Sequence, residues 1–538
     1  MPRHLTRLAL VAVALAAAAP YARVTGDYFI QDDFGVVGLL SQKPASYFPR
    51  WFVSNWMEDI WGYTPDEIRP FPAVTYQIAA LAGAASPVAN HLINIAFHAI
   101  NALLVFGLAR SAAGLRTSSA LAAALVFAWL PMQAEAVAWI TGRVDSMPAC
   151  FYMASVLLFV RWRATAAPSL YGASVVCCFV ALFSKQNTIT LPVALVLYDL
   201  CVQRVPVHPT WRALAPYLPY VALTAAYMAL RWALFGEVAR EGMMTTDRLG
   251  SALLDLSAHL KRTVYGEPGV AMAGVWLGMT VATAVAVICV LAIRFGRRDL
   301  RPLVRVAIYF VAVWIALGAV PTLVAGYASP RHMYLASAGW AIGIGIAVEA
   351  MLQTRLRWIR WAAAGSAAAL LAAYSAQLHG VVSQWRARAT VSRQAVLDVQ
   401  REALAAPEGT LIVAGAPRSS WDFAIPHALR PPFTETDLTR RVSVISHSSL
   451  YCCAADQWDR HTRGLLRDWR ARADRPPVIA LYWNPQTAAL SRLTDAQESY
   501  LRFVMELLPD TGSGAALDEA ILDTFAELVV PRTTRPAP

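Results

Sequence analysis

Two adjacent carboxylates, Asp32 and Asp33, stand in "GDYFIQDDFG" (26–35), directly after the first apolar run of the chain. Carboxylates beside membrane-like sequence cost free energy unless they are solvated or paired. In water they can do proton chemistry, one taking a proton from a hydroxyl while its neighbour orients a partner. Charged residues recur later in similar places: Glu135, Arg143 and Asp145 in "PMQAEAVAWITGRVDSM", Lys185 in "FSKQNTIT", and Arg331, His332 and Tyr334 in "YASPRHMYLAS". Each stretch borders an apolar run. Separated cations facing an acid pair at one membrane surface exceed what solubility requires, and they suit compensation of an anion. Plainer roles compete: Glu135 and Arg143 as a structural pair fixing a hairpin, and Lys185 as a side chain reaching up to the surface. "NHLINIAFHAIN" spaces His91, Asn94, His98 and Asn101 as one polar stripe on a helix, which serves equally as glue between helices.

These residues must be held by membrane helices. The chain has 538 residues, 57% hydrophobic and only 15% charged, with mean hydropathy +0.44. A soluble domain is nearer one quarter charged. Apolar runs of about 17 to 25 residues, the length that crosses a bilayer, recur through the first two thirds. Eleven spans are expected, near 6–22, 88–109, 118–132, 146–162, 170–184, 188–203, 213–232, 270–293, 304–325, 333–352 and 361–379. Arginines fill alternate short gaps, so the net charge of +11 is a topology signal and needs no nucleic acid. The arginine distribution puts the N-terminus in the cytoplasm, as an uncleaved signal anchor, and the C-terminal region outside. The seven cysteines have no metal-ligand spacing. Most lie in or beside apolar runs as packing residues, and Cys452 and Cys453 are adjacent.

The expected architecture is mainly α: a polytopic helical bundle over 1–379 and a small C-terminal α/β domain over 380–538. Two external loops are long, about 23–87 and 233–269. The first holds the Asp pair and the Trp-rich part around Trp51, Trp56 and Trp61, suited to a helix at the membrane interface. The second has amphipathic spacing in its middle. In the tail, "TLIVAG", "VSVIS" and "PVIALYW" read as strands and "DAQESYLRFVMELL" as a helix, without a phosphate-loop fingerprint.

The ordered set "DD", "RP" (Arg69 and Pro70), "NHLINIAFHAIN", "EAVAWITGRVD", "SKQ…LVLYDL" and "PRHMYLASAG" resembles the bacterial relatives of the transmembrane and tetratricopeptide-repeat O-mannosyltransferases, over about residues 20–350. The resemblance implies a GT-C fold, a polyprenyl-phosphate sugar donor, and Asp32 or Asp33 as the catalytic carboxylate. On that reading Arg143, Lys185 and Arg331 face the donor phosphate, with Arg69, His91, Asn94, Glu135, Asp145, His332 and Tyr334 in support. A divalent metal at Asp32 and Asp33 is one use of the second carboxylate; no other cofactor is expected. The chain departs from the family pattern at Leu130, Gln133, Ala134, Gln186 and Pro330, and its tail shows no 34-residue repeat.

The function expected is therefore inverting sugar transfer to an acceptor hydroxyl at the periplasmic face of a bacterial inner membrane. The sugar and the acceptor (protein, lipid or glycan) stay open. The alternatives are a transporter or lipid-carrier flippase, and an inactive relative that assists cell-envelope glycan assembly. A transporter needs polar residues near mid-membrane and helices broken there, whereas these residues gather at one surface. The arginine distribution yields a direct test. In a cysteine-free background, Lys43→Cys, Gly250→Cys and Ser420→Cys should react with an impermeant thiol reagent from outside, and Arg163→Cys and Arg298→Cys should not. Labelling of Ser420→Cys only after lysis reverses the C-terminal region.

Overall fold

In a computed structural model, the structure describes residues 3–56, 67–81, 86–204, 210–238, 246–265, 301–324, 329–354, 356–415, 425–446 and 455–507. Six described helices are long and apolar enough to cross a bilayer: Arg7–Val24, Pro87–Ser111, Ile140–Thr165, Trp211–Phe235, Pro302–Pro321 and Pro330–Leu352. A seventh arises if Thr117–Trp129 and Pro131–Ala138, bent by 52°, count as one. The expected span at 270–293, Trp61 and the Cys452–Cys453 pair lie outside the described residues.

The elements that bear on the site are α1 (Arg3–Ala18), α2 (Pro70–Leu81), α3 (Pro87–Ser111), α4 (Thr117–Trp129), α5 (Arg143–Thr165), α6 (Pro168–Leu182), α7 (Thr246–Tyr265), α8 (Tyr334–Leu352) and α9 (Arg357–Ala405). Helix α2 lies within the stretch 23–87 expected as an external loop. It opens on Pro70, whose missing N–H costs nothing at a helix start. Helices α1, α3, α4, α5 and α8 pack into one apolar core in which alanine is the commonest residue, which lets their axes approach closely.

The boundary expected at residue 379 is crossed by α9, a single helix of 49 residues. At 1.5 Å per residue it is about 74 Å long, more than twice a bilayer core. Its second half leaves the apolar bundle and carries a sheet of order β2-β1-β3-β4. Strands β1 (Leu411–Gly415), β2 (Ser443–Ser446) and β3 (Val478–Asn484) are parallel, and β4 (Ala489–Arg492) is antiparallel to β3. Helices α10 (Ala455–Ala471) and α11 (Asp495–Leu507) accompany the sheet, Leu466, Trp469, Leu501 and Met505 sharing a core with Leu411, Val413 and Ala480. The other face of the sheet shares a core with the first loop: Phe29, Phe34, Trp51, Val399, Ile412, Ala414 and Leu481 are all buried in one cluster.

Close approach fixes one glycine in the bundle. A Cβ on Gly339 of α8 would stand 2.3 Å from the carbonyl oxygen of Phe310, which is backbone and cannot rotate away. Gly339→Ala should therefore cost about 1–3 kcal/mol, the usual range for overpacking, read as reduced thermal stability in detergent.

Candidate active site

The first loop leaves α1 through Asp27 and Phe29 and turns at Gln31, whose φ of 52° is left-handed. A non-glycine residue holds that conformation only where its surroundings impose it. Asp33 supplies much of the constraint. Its carboxylate accepts the Ile30 amide at 3.0 Å, the Thr141 amide at 2.8 Å and the Thr141 hydroxyl at 2.6 Å. The Trp139 indole donates to the Ile30 carbonyl at 3.1 Å. Asp33 is 1% exposed, so the expectation that both carboxylates stand in water is corrected: Asp33 is a buried tie between the loop and the hairpin that precedes α5. Burial pushes its pKa up to about 7, against the pull of Thr141 and Ile30.

Asp32 is different. It is partly exposed, and its carboxylate makes no side-chain hydrogen bond to another described residue. Burial raises its pKa to about 6; Arg331 is the strongest opposing charge, with Arg69 lowering it further and Glu67 raising it. A divalent metal bridging Asp32 and Asp33 does not fit this donor set. Three N–H and O–H donors already occupy the Asp33 oxygens, and no group of three His, Cys, Asp or Glu suited to a metal occurs among the described residues.

The cations are compensated to different degrees. Arg143, expected at the donor phosphate, is fully buried in a hydrogen-bond web. Nε donates to Asn94 Oδ1 at 2.9 Å, one terminal nitrogen to Thr75 Oγ1 at 3.1 Å, and the other to Asn90 Oδ1 at 2.8 Å and the Asn90 carbonyl at 3.0 Å. Its guanidinium lies 4.3 Å from the centre of the Tyr76 ring. Buried and with all three nitrogens hydrogen-bonded, Arg143 joins α2, α3 and α5. Asn94 is part of that web, donating to the Trp139 carbonyl at 2.8 Å. Lys185 is buried against Asp145 and also donates to His332 Nδ1 at 3.1 Å. Arg331 bridges two acids, Glu135 at 3.1 Å and Asp145 at 3.2 Å, and lies 4.4 Å over the Trp139 ring. The cationic partner of Glu135 is thus Arg331, not Arg143 eight residues on. Arg69 is buried against Glu67 at 2.7 Å and over Trp56.

The remaining candidates hold helices together. His91 meets the backbone carbonyl of Asp27 at 3.2 Å, and not a loop carboxylate. Tyr334 is buried in the bundle between His98 at 2.8 Å and Asn101 at 3.1 Å. The stripe on α3 is therefore polar glue that bonds outward to other segments: His91 to Asp27, Asn94 to Trp139 and Arg143, His98 to Ala128 and Tyr334, and Asn101 to Ser146 and Tyr334. Sequence reasoning missed Thr141, the partner of Asp33, and Glu67, two residues before Arg69. For Glu67 a signal existed, an acid beside a singled-out arginine; for Thr141 there was none.

Beside Glu135 opens a cavity of about 400 Å³. Its lining includes Met132, Glu135, Arg262, Ser329, Trp385 and Arg388. Trp385 stacks on Trp139 with centroids 6.2 Å apart, and Arg388 lies 4.6 Å over Trp385. Trp139 thus touches both Arg331 and the cavity wall. Arg388 has no carboxylate partner among the described residues.

The two carboxylates separate in a stability experiment. Asp33→Asn sets an amide N–H₂ against backbone donors, so the variant should lose about 1–3 kcal/mol, the cost of a buried unsatisfied group. Asp32→Asn should be at least as stable as wild type, because burial disfavours the charge that the amide removes. Thermal unfolding in detergent checks both, and equal stability of the two variants contradicts the assignment.

No family model matches the chain. Protein O-mannosyl-transferase Tmtc1 of Drosophila melanogaster is 32% identical over 133 residues, 25% of this chain and 15% of that protein. Tmtc2 of the same organism is 28% identical over 193 residues, 33% of this chain and 20% of that protein. The chain's matched segments thus span a fifth or less of these relatives. Among solved structures, ArnT from Cupriavidus metallidurans bound to undecaprenyl phosphate is similar with a TM-score of 0.51 at 15% identity, over 90% of this chain and 94% of that one. The apo form of ArnT gives 0.50 at 14% identity with the same coverage. The likeness covers most of both chains, and the chain has the GT-C membrane fold.

Proposed function

We propose that this chain is a membrane glycosyltransferase that moves a sugar from a polyprenyl-phosphate donor to an acceptor hydroxyl, with Asp32 as the general base. The observation that carries the reading is Asp32 itself, a partly exposed carboxylate under the influence of Arg331, within a fold shared with a protein crystallised with undecaprenyl phosphate. The side of the membrane follows from the arginine distribution, which puts this face in the periplasm of a bacterial inner membrane.

The reaction is one displacement. The acceptor oxygen attacks the anomeric carbon and loses its proton to Asp32, while the bond from that carbon to the phosphate oxygen breaks. The leaving polyprenyl phosphate keeps the electron pair and gains one negative charge. That oxygen needs no proton, but it needs nearby positive charge. Arg331 supplies charge on the side of Asp32, although it is shared with Glu135 and Asp145. Arg388 and Arg262, on the wall of the cavity, are the better candidates for holding the phosphate itself, and they replace Arg143 and Lys185 in that role. The apolar lining at Met132 and Trp385 suits the first isoprene unit.

A base with a pKa of about 6 is ionised at neutral pH yet more basic than an ordinary Asp. Turnover should therefore fall as pH drops through about 6, because protonated Asp32 cannot accept the acceptor's proton. Asp32→Asn should lower turnover by ~10²–10⁴-fold with undecaprenyl-phosphate binding near wild type. Arg388→Gln should weaken that binding about tenfold, equivalent to about 1.4 kcal/mol, in line with loss of a charge-assisted contact. Both are read with a labelled donor in reconstituted vesicles. Full transfer by Asp32→Asn removes the base from the scheme.

A further inference from the structure

The sheet beyond the bundle presses a side chain into the loop that carries Asp32. The ring of Phe433 meets Phe29 edge-on at 5.1 Å and Phe34 at 5.2 Å. Those two residues flank Asp32 and Asp33, and both are fully buried. A Cβ on Gly38 would stand 3.1 Å from Phe433 Cε2, so the ring also closes on the short helical segment Val36–Leu40. Polar contacts run beside it. Gln42 donates to the Pro431 carbonyl, Ser392 of α9 donates to the Phe29 carbonyl at 2.7 Å, and Gln400 donates to the carbonyls of Ala428 at 2.9 Å and Phe433 at 3.4 Å.

The loop is thus gripped from two sides. Asp33 ties it to the bundle through Thr141, and Phe433 wedges it from the sheet. Asp32 lies between the two grips, next to the left-handed turn at Gln31. A left-handed non-glycine residue relaxes when a grip is released, and relaxation at Gln31 would swing Asp32. We propose that Phe433 is a positioning residue for Asp32, so that the C-terminal region is part of the catalytic centre and not only a binding or solubility appendage. The catalytic half of this inference rests on the reading of Asp32 as base. The structural half, that Phe433 orders the loop, stands without it. Displacing a catalytic group by about 1 Å commonly costs up to 10²-fold in rate, while groups that hold the donor lie elsewhere and should be spared.

The experiment uses the full-length protein in nanodiscs, with Phe433→Ala, Phe433→Leu and Gly38→Ala. Amide hydrogen exchange over 28–36 should quicken about tenfold or more in Phe433→Ala and less in Phe433→Leu, the branched side chain still filling part of the wedge. Turnover should fall in the same order, with undecaprenyl-phosphate binding unchanged. Combining Phe433→Ala with Asp32→Asn should give no loss beyond Asp32→Asn alone, since a residue acting through the base has nothing left to position. If Phe433→Ala fails to fold, Phe433→Leu and Gly38→Ala, which nudges the ring by a few tenths of an ångström, carry the same comparison. Unchanged exchange over 28–36 in the folded variants overturns the proposal, as does a loss that multiplies onto that of Asp32→Asn or that falls equally on lipid binding. Should Asp32→Asn transfer sugar at full rate, the base reading fails and the catalytic half falls with it, while exchange still decides whether Phe433 orders the loop.

Discussion

The buried carboxylate of Asp33 is the constraint on which the rest of the site depends. Taking an ionised group out of water costs several kcal/mol unless its lone pairs are filled. Here two backbone amides and a hydroxyl fill them, and the donors come from segments far apart in sequence, Ile30 and Thr141. The bond set closes only when the first loop lies on the hairpin before α5. That geometry forces the turn at Gln31, and the turn leaves Asp32 at the surface of the cluster. One carboxylate is spent on structure, and its neighbour stays partly exposed.

The surrounding charges obey the same economy. Four acids, Glu67, Glu135, Asp145 and Asp32, meet three cations, Arg69, Lys185 and Arg331, at this end of the bundle. Fully paired charges rigidify a site but leave little net field for an incoming anion. Two arginines, Arg262 and Arg388, line the cavity beside this cluster, and the contact between Trp139 and Trp385 joins the cavity wall to Arg331. Buried Arg143 serves another end. Its web to Asn90, Asn94 and Thr75 fastens α2 and α3 to the start of α5, which in turn fixes Thr141 for Asp33. A cation on the correct face of a membrane protein is not thereby a ligand site; its unspent donors decide.

Much of this was legible in the sequence. The length and composition of the apolar runs point to a helical bundle, because backbone groups in hydrocarbon must pair within their own segment. The Asp pair, Glu135, Asp145, Lys185, Arg331 and His332 were all singled out, because charges at span ends are scarce. What sequence could not supply was the partner of each charge. Whether Glu135 pairs with Arg143 or Arg331 depends on which helix ends meet, a long-range fact carried by close-packed small residues without periodic signature. The same holds for the unequal burial of Asp32 and Asp33, which are identical in type and adjacent in sequence. Thr141 was invisible because a threonine in a hairpin has many uses. The continuous helix α9 also escaped notice, since its change from apolar to arginine-rich composition reads as a boundary when no breaker is required there.

The central claim is a single displacement with one carboxylate base, and stereochemistry at the transferred carbon reads it most directly. Reconstituted protein would be given a polyprenyl-phosphate sugar of known anomeric configuration, and the anomeric proton coupling of the product would be measured by NMR. The account predicts a product of opposite configuration to the donor. A product that retains the donor's configuration would require a second displacement with a side chain as nucleophile, and it would contradict the account.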